Sequence, residues 1–285
     1  MRHVLVGISF CFLLMVLTVS SALSLEASRD AQNLLNSALQ RHVKNGLVDY
    51  GGLAYDHDFK TYLKWLSDVH PDSIKGSHDA QMAFWINAYN ALAIQGVIAA
   101  SDMIPPAPTG QSSRALAERL QRSRRGQSAS GYTFQTIDSV LDVDGFFNKQ
   151  KHKIMGDKYT LDHIEKKIIF PKFADPRLHF VLVCAARSCP TLPSDIYTAE
   201  NLPDKMDAVA RKFLTDPHKN KLDRENKVLY LSQIFNWYLD DFGGSDAAVI
   251  NFISLYLDIH SRQFLHENKV KIRFLEYDWR LNRQP

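Results

Sequence analysis

An apolar stretch at residues 80–100, AQMAFWINAYNALAIQGVIAA, limits the possible folds of this chain more than any other segment. A helix is predicted to begin near Ser77 and to run to about Ala100. Its apolar side chains occur nearly all round the helix rather than along one stripe, which is typical of a helix buried on every side. We therefore expect this helix to lie at the centre of the domain, with the other elements packed around it.

Two side-chain amides interrupt this apolar helix. Asn87 and Asn90 are three positions apart, so both point to the same side of the helix. A buried amide left without a partner costs about 1–3 kcal/mol. The two amides either pair with the backbone of a neighbouring loop or contact a ligand directly. We favour backbone pairing, since the protein itself satisfies most buried polar groups, and we retain both residues as candidate binding residues.

The segment 177–190, RLHFVLVCAARSCP, is the part of the chain richest in reactive groups. The uncharged run from His179 to Ala186 follows Asp175-Pro176 and predicts a strand buried on both faces. The next residues, Arg187 to Pro190, leave the end of this strand as a loop, and loops on a rigid scaffold often carry the chemistry. This segment therefore supplies an imidazole, two thiols and a guanidinium as candidate functional groups.

The two thiols, Cys184 and Cys189, allow two interpretations. In an oxidising compartment, cysteines this close in sequence favour a disulfide. Alternatively, one is a buried structural thiol and the other, Cys189, is a nucleophile with His179 as its base. An extended strand separates His179 from Cys189 by about 18 Å, which opposes the second interpretation unless the loop folds back. The sequence leaves both alternatives open.

The first 24 residues have the pattern of a secretory signal peptide. Arg2 and His3 precede an apolar run from Val4 to about Val19, and the small residues SSALS follow it. An uncleaved anchor is the alternative, since the run is nearly long enough to span a bilayer. We expect residues 1–24 to be removed and residues 25–285 to form a single globular domain. That domain is expected to be periplasmic or secreted, with no membrane span after cleavage.

Composition excludes several classes of protein. The chain of 285 residues is 45% hydrophobic and 23% charged, which is globular, and a net charge of +3 with interspersed signs does not predict nucleic-acid binding. The acidic run at 142–145 lacks the rest of a calcium loop, and Asp162, His163 and Glu165 lack helical zinc spacing, so neither a metal nor another cofactor is predicted. Residues 101–131, rich in Pro and Arg, predict a mobile basic excursion.

The remaining patterns predict an α+β fold in which the buried helix packs against a mainly antiparallel sheet. Helices are predicted at 28–43, 58–69, 161–169, 201–215, 233–242 and 245–257, and strands at 227–231 and 269–275. A hairpin is predicted at 151–159. Pro171 is expected to end the helix that begins after Thr160.

Five blocks of this sequence resemble the DUF547 family, which is defined by sequence and has no assigned function. They are FWINAYNAL at 84–92, LDHIEKKII at 161–169, DPRLHFVLVCAARSCPTL at 175–192, LYLSQIFNWYLDDF at 229–242 and LEYDWRLN at 275–282. The resemblance implies a papain-like or transglutaminase-like core, in which a cysteine at the start of a buried helix is followed by a histidine and an acid. His179 and Asp278 match the histidine and the acid. The helix offers Asn87 instead of a cysteine, and Lys166 replaces the family's IEH histidine.

Two functions are therefore compared. The first is a binding or scaffolding module with a papain-like groove for an unknown peptide or cell-envelope ligand, in which Asn87, Asn90, Glu165 and Arg187 are the candidate binding residues. The second is a thiol-dependent hydrolase or acyl transferase acting on amide or ester bonds, with Cys189, His179 and Asp278 as catalytic residues. The first is favoured because a fold does not by itself imply an activity.

Overall fold

The computed structural model of the protein describes residues 26–74, 76–104 and 133–285. The signal peptide predicted at 1–24 lies outside the described residues. All but the first four residues of the basic excursion predicted at 101–131 lie outside them as well.

The N-terminal half of the described chain is mainly helical. Its elements are α1 (26–42), β1 (Val43–Lys44), β2 (Leu47–Val48), α2 (Tyr50–Tyr55), α3 (His57–Asp68), a 3-10 turn (Pro71–Ile74), α4 (His78–Ala100), β3 (Asp102–Ile104), β4 (Thr133–Gln135), a 3-10 turn (Val140–Asp142), β5 (His152–Ile154) and β6 (Asp157–Tyr159). The three successive strand pairs β1–β2, β3–β4 and β5–β6 are each antiparallel and two-stranded. The predicted hairpin at 151–159 is thus confirmed.

The C-terminal half alternates helices and short strands. It contains α5 (161–173), a 3-10 turn (Pro176–Phe180), α6 (Leu202–Leu214), β7 (Lys221–Asp223), β8 (Val228–Leu231), α7 (Ile234–Trp237), a 3-10 turn (Leu239–Phe242), α8 (Asp246–Ser254), α9 (Ile259–Glu267) and β9 (Lys271–Phe274). Strand β8 pairs antiparallel with β7 and parallel with β9. The α+β class is confirmed, but small separate sheets take the place of one sheet packed against the central helix.

Helix α4 lies where the sequence predicts it. The side chain of Ser77 accepts a hydrogen bond from the backbone N–H of Ala80 and caps the helix, which then runs to Ala100. Nearly every side chain from Met82 to Val97 is buried in the main hydrophobic core. The helix is long and apolar enough to cross a membrane, but its side chains are buried against the rest of the domain. It is therefore the core helix that its pattern indicates.

The prediction of a strand at 179–186 is wrong. Asp175 caps a 3-10 turn that covers Pro176–Phe180, and residues 181–186 form no strand, apart from a single bridge between Ala186 and Leu281. The Asn90 side chain donates to the carbonyl of Val181 at 2.8 Å and accepts from the N–H of Val183 at 2.8 Å. These two hydrogen bonds pair buried backbone groups that a neighbouring strand would otherwise pair. The apolar run is therefore buried without being a strand.

Pro171 does not end helix α5, which continues to Phe173. The middle of this helix is a π-turn, Ile164–Ile169, in which the N–H of Phe170 donates to the carbonyl of Glu165. Pro171 therefore falls in the first turn of the last α-helical segment, where its missing N–H is tolerated. Single π-turns are frequent at functional sites, and this one carries Glu165.

The extended C-terminal segment, residues 275–285, crosses the domain and connects distant parts of it. The N–H of Arg187 donates to the carbonyl of Arg280 at 2.9 Å, and the N–H of Asn282 donates to the carbonyl of Ala185 at 3.0 Å. The N–H of Val48 in β2 also donates to Asn282, at 2.8 Å. The segment that follows the 3-10 turn at 176–180 is thus held between Asn90 on α4 and the C-terminal segment.

Candidate functional site

A cavity of about 230 Å³ lies where α4, α5, the segment 179–190, α7 and the C-terminal segment meet. We call it the aromatic cavity. It is lined by Tyr89, Phe147, Asp162, Glu165, Lys166, His179, Leu182, Cys184, Cys189, Pro190, Ile234, Trp237, Tyr238, Tyr277 and Trp279. An apolar cavity with a few polar groups is the usual form of a small-molecule site.

Glu165 is the most buried carboxyl group of this cavity, with 8% of the residue exposed. The hydroxyl of Tyr89 donates to one of its oxygens at 2.9 Å, and the hydroxyl of Tyr238 donates to the other at 2.9 Å. Burial raises the pKa of Glu165, and the two tyrosine hydrogen bonds oppose that rise. Lys166, one residue further along the helix, forms an ion pair with Asp162 at 3.1 Å and not with Glu165.

His179 lies deep in the wall of the cavity. Its ring packs against Phe170 at 4.3 Å and Tyr238 at 4.1 Å between centroids, and 3% of its side chain is exposed. Its Nε2 lies 2.8 Å from a carboxylate oxygen of Asp241. Burial lowers the pKa of His179 to about 4, although Asp241 acts in the opposite direction. Burial thus favours the neutral imidazole, and a neutral imidazole that donates to the Asp241 carboxylate carries its proton on Nε2.

Cys184 and Cys189 form a disulfide in the wall of the same cavity, with their Cα atoms 6.0 Å apart. Ala185 has a positive φ of 63°, which turns the chain tightly between the two cysteines. This fold-back brings Cys189 and His179 to one cavity, where an extended strand would have separated them. A nucleophilic cysteine acts as a thiolate, and in this structure neither sulfur is free.

Asp278, predicted as the acid, is not brought to His179. Its carboxylate binds Arg280 at 2.6 Å, and its backbone N–H donates to the hydroxyl of Ser188. The acid that contacts the imidazole is Asp241, which the sequence analysis missed. Asp241 lies in the matching block LYLSQIFNWYLDDF, so a search of all acidic residues in the five blocks would have included it.

The two amides of α4 contact backbone, as the favoured interpretation predicts. Asn87 donates to the carbonyl of Tyr197 at 2.7 Å and accepts from its N–H at 3.0 Å. Asn90 makes the corresponding pair with Val181 and Val183. Both side chains thus hold the loops that follow the turn at 176–180, and backbone pairing is confirmed.

Arg187 lies on the other side of the disulfide, at a second cavity of about 730 Å³ that we call the basic cleft. Cys189 and Pro190 line both cavities. Lys219 also lines the basic cleft, and its ammonium group donates to the carbonyl of Cys189. The predicted binding residues Glu165 and Arg187 are therefore on opposite sides of this shared wall.

Three aromatic side chains form the outer side of the aromatic cavity, and the sequence analysis did not select them. Trp237 lies 4.8 Å from Tyr277 and 5.7 Å from Trp279 between ring centroids, and 46% of Trp237 is exposed. All three lie inside two of the matching blocks, and that position is the signal that was available. In the described part of the chain, no group of three or more His, Cys, Asp or Glu side chains is arranged to hold a metal.

The five blocks that carry the family resemblance converge on this cavity. All of its lining residues except Phe147 come from them, although the blocks extend from residue 84 to residue 282. Comparison with curated proteins and with solved structures gave no significant match. Residues 74–214 match the family model described as "Protein of unknown function, DUF547". Over this segment the chain is therefore similar to the DUF547 family, as the five blocks predict.

Proposed function

We propose that this chain is an exported binding module that holds one chemical group of a peptide or cell-envelope ligand in the aromatic cavity. The observation that carries the proposal is the convergence of the five blocks, which supply all lining residues but one. Three of these blocks lie within the family segment 74–214, and two lie beyond it. A fold does not by itself assign a function, so the proposal rests on the cavity and its chemistry.

The size and polarity of the cavity support binding of a single side-chain-sized group. An apolar protein cavity of about 150 Å³ binds benzene, and this cavity of about 230 Å³ therefore has room for a comparable group. Glu165 and His179 are the buried polar groups in its wall, and Trp237 is half exposed on its outer side. A few polar groups in an apolar cavity orient a ligand without requiring a chemical step.

On this proposal the aromatic cavity is the groove of a papain-like core that lacks its nucleophile. Helix α4 contributes Tyr89 to the cavity and carries no cysteine. A thiol-dependent hydrolase or acyl transferase needs a free thiolate, and Cys189 is bonded to Cys184. The disulfide therefore favours the binding module over the thiol enzyme.

The export part of the proposal is tested by the intact mass of the protein recovered from the soluble exported fraction. We expect a chain that lacks its first 22 to 24 residues, because a charged start, an apolar run and small residues precede that point. A soluble chain that retains Met1 would contradict export by cleavage.

The binding part is tested with three small probes, namely indole, 4-ethylphenol and butylammonium, followed by ligand-observed NMR. Ile234→Trp fills the aromatic cavity, and Leu255→Trp adds the same side chain at an exposed position elsewhere. We expect at least one probe to bind the wild type and Leu255→Trp and not Ile234→Trp. Ile234→Phe is the smaller filling variant if Ile234→Trp does not fold. Absence of saturable binding at millimolar concentrations would overturn the proposal.

A further inference from the structure

The aromatic cavity contains one carboxylate without a cationic partner. Its lining residues with a formal charge are Asp162, Glu165 and Lys166, which sum to −1 (−1 − 1 + 1). Lys166 forms an ion pair with Asp162. Asp241, which does not line the cavity, is hydrogen-bonded to the neutral His179. Within the described residues, Glu165 accepts hydrogen bonds from two neutral tyrosine hydroxyls and forms no ion pair. The negative charge of the cavity is therefore centred on Glu165.

A buried carboxylate of this kind favours a cation that enters the cavity. Removing a charge from water is costly unless an opposite charge or several hydrogen bonds compensate it. Tyr89 and Tyr238 supply part of that compensation by donating to the two carboxylate oxygens. An ammonium group supplies a full positive charge, whereas an anion is repelled and a neutral group leaves the charge as it is.

The aromatic rings of the cavity suit the same ligand. Trp237, Tyr277 and Trp279 contact one another at centroid distances of 4.6–5.7 Å and form one continuous aromatic surface. Tyr238, whose hydroxyl binds Glu165, lines the cavity beside them. Cations are attracted to aromatic faces, and the methylene or methyl groups attached to an ammonium pack on the same rings. The rings and the carboxylate line one cavity and favour the same class of ligand.

We propose that the aromatic cavity recognises an alkylammonium group, with its positive charge at Glu165 and its carbon atoms against Trp237, Tyr277 and Trp279. This inference rests on the proposed binding function, because it names the ligand class of the same cavity. A volume of about 230 Å³ accommodates the end of a lysine-like side chain or a trimethylammonium head group, but not a whole peptide. Primary and quaternary ammonium groups share this chemistry and come from different ligands.

The test compares two ammonium ions with neutral molecules of similar shape. Butylammonium is paired with 1-butanol, and choline is paired with 3,3-dimethyl-1-butanol. Binding to the full chain is measured by ligand-observed NMR at neutral pH. We expect at least one ammonium ion to bind at least about tenfold more tightly than its neutral counterpart, which corresponds to about 1.4 kcal/mol. The tighter of the two ammonium ions identifies the source as an amine side chain or as a choline-type head group.

Glu165→Gln tests the position of the charge. It keeps the size of the side chain and removes the carboxylate, and we expect it to reduce the preference for ammonium to about twofold or less. Glu225→Gln, at an exposed position, is the matched control and is expected to leave the preference unchanged. If Glu165→Gln does not fold, Ile234→Phe with the ammonium and neutral probes locates the binding in the same cavity.

Each outcome has a separate consequence. Equal binding of ammonium ions and their neutral counterparts would overturn the ammonium inference and leave the proposed binding function intact. An ammonium preference that is unchanged in Glu165→Gln would also overturn it, since the charge would then be recognised elsewhere. Absence of binding by any of the probes, indole and 4-ethylphenol included, would overturn both proposals.

Discussion

The two walls of the aromatic cavity are built differently. The inner wall, formed by Tyr89, Glu165, His179 and the Cys184–Cys189 disulfide, belongs to the family segment 74–214 and is held by side-chain hydrogen bonds and a covalent bond. The outer wall, formed by Trp237, Tyr277 and Trp279, lies beyond that segment and is held mainly by contacts between rings. The comparison indicates that the inner wall is part of what stabilises the fold, while the outer wall provides accessible surface.

The largest expected effect concerns the disulfide of the inner wall. Native labelling with iodoacetamide is expected to leave Cys184 and Cys189 unmodified without reductant and to modify both after reduction and unfolding, because bonded sulfurs do not react as thiolates. Mass spectrometry of the peptide that contains residues 184–189 measures this. Rapid labelling of Cys189 without reductant would show a free thiol, and a rate that is already high well below pH 8 would show that its pKa is depressed. That result would favour the thiol-enzyme hypothesis over the binding module.

The second effect concerns the amide that holds the inner wall in place. Asn90→Leu leaves the carbonyl of Val181 and the N–H of Val183 buried without partners. We expect the free energy of unfolding to fall by about 2–5 kcal/mol and the melting temperature by about 5–15 °C. Asn87→Leu is expected to act in the same direction through Tyr197.

Asn236→Leu is the matched control for these two variants, since Asn236 is exposed on α7. Its melting temperature is expected to stay within a few degrees of the wild type. Calorimetry of the four proteins compares them directly. An unchanged melting temperature for Asn90→Leu would mean that the amide does not support the inner wall.

The third effect is a dependence of stability on pH that arises from Glu165. Burial raises the pKa of this carboxyl above its value in the unfolded chain, so the folded state holds the proton more tightly. The stability linked to this group is fully present below the unfolded pKa and is lost as the pH rises through the folded pKa. The wild type is therefore expected to lose stability relative to Glu165→Gln as the pH rises from the ordinary range of a carboxyl group, about pH 4, through the raised pKa of the folded state.

Denaturant unfolding of both proteins across this pH range measures the difference. The ionisable groups that face Glu165 are Tyr89 from α4, Tyr238 from the turn after α7, and Asp162 and Lys166 from its own helix. They are present in both proteins, so subtraction isolates Glu165. A difference that stays constant with pH, or that changes with the opposite sign, would show that the carboxyl is not desolvated in the folded state.

The smallest effect on stability is expected on the outer wall. Trp237→Ala removes a half-exposed ring, so the free energy of unfolding is expected to change by less than about 1 kcal/mol. Binding of an ammonium probe is expected to weaken by about two- to fivefold, since a cation–π contact at an exposed site contributes about 0.5–1 kcal/mol. Leu255→Ala, at another exposed position, is the control. A loss of stability as large as that of Asn90→Leu would remove the distinction between the two walls.

Several elements follow from local sequence alone. Helix α4 was predicted with nearly its observed ends because its apolar pattern and its Ser77 cap are local properties. The hairpin at 151–159 and the helix at 201–215 were predicted for the same reason. Glu165, His179 and Cys189 are each candidate residues from the sequence alone. No local pattern predicts that they line the same cavity.

Other features were decided only by the tertiary structure. The apolar composition of residues 179–186 established that the segment is buried, but its backbone conformation depends on Asn90, which is about ninety positions away in the chain. The acid partner of His179 was Asp241 instead of Asp278 for a similar reason. Burial follows from local composition because it depends on the transfer of side chains from water. The partner of a buried polar group depends on which distant segment the fold places beside it, and spacing along the chain does not contain that information.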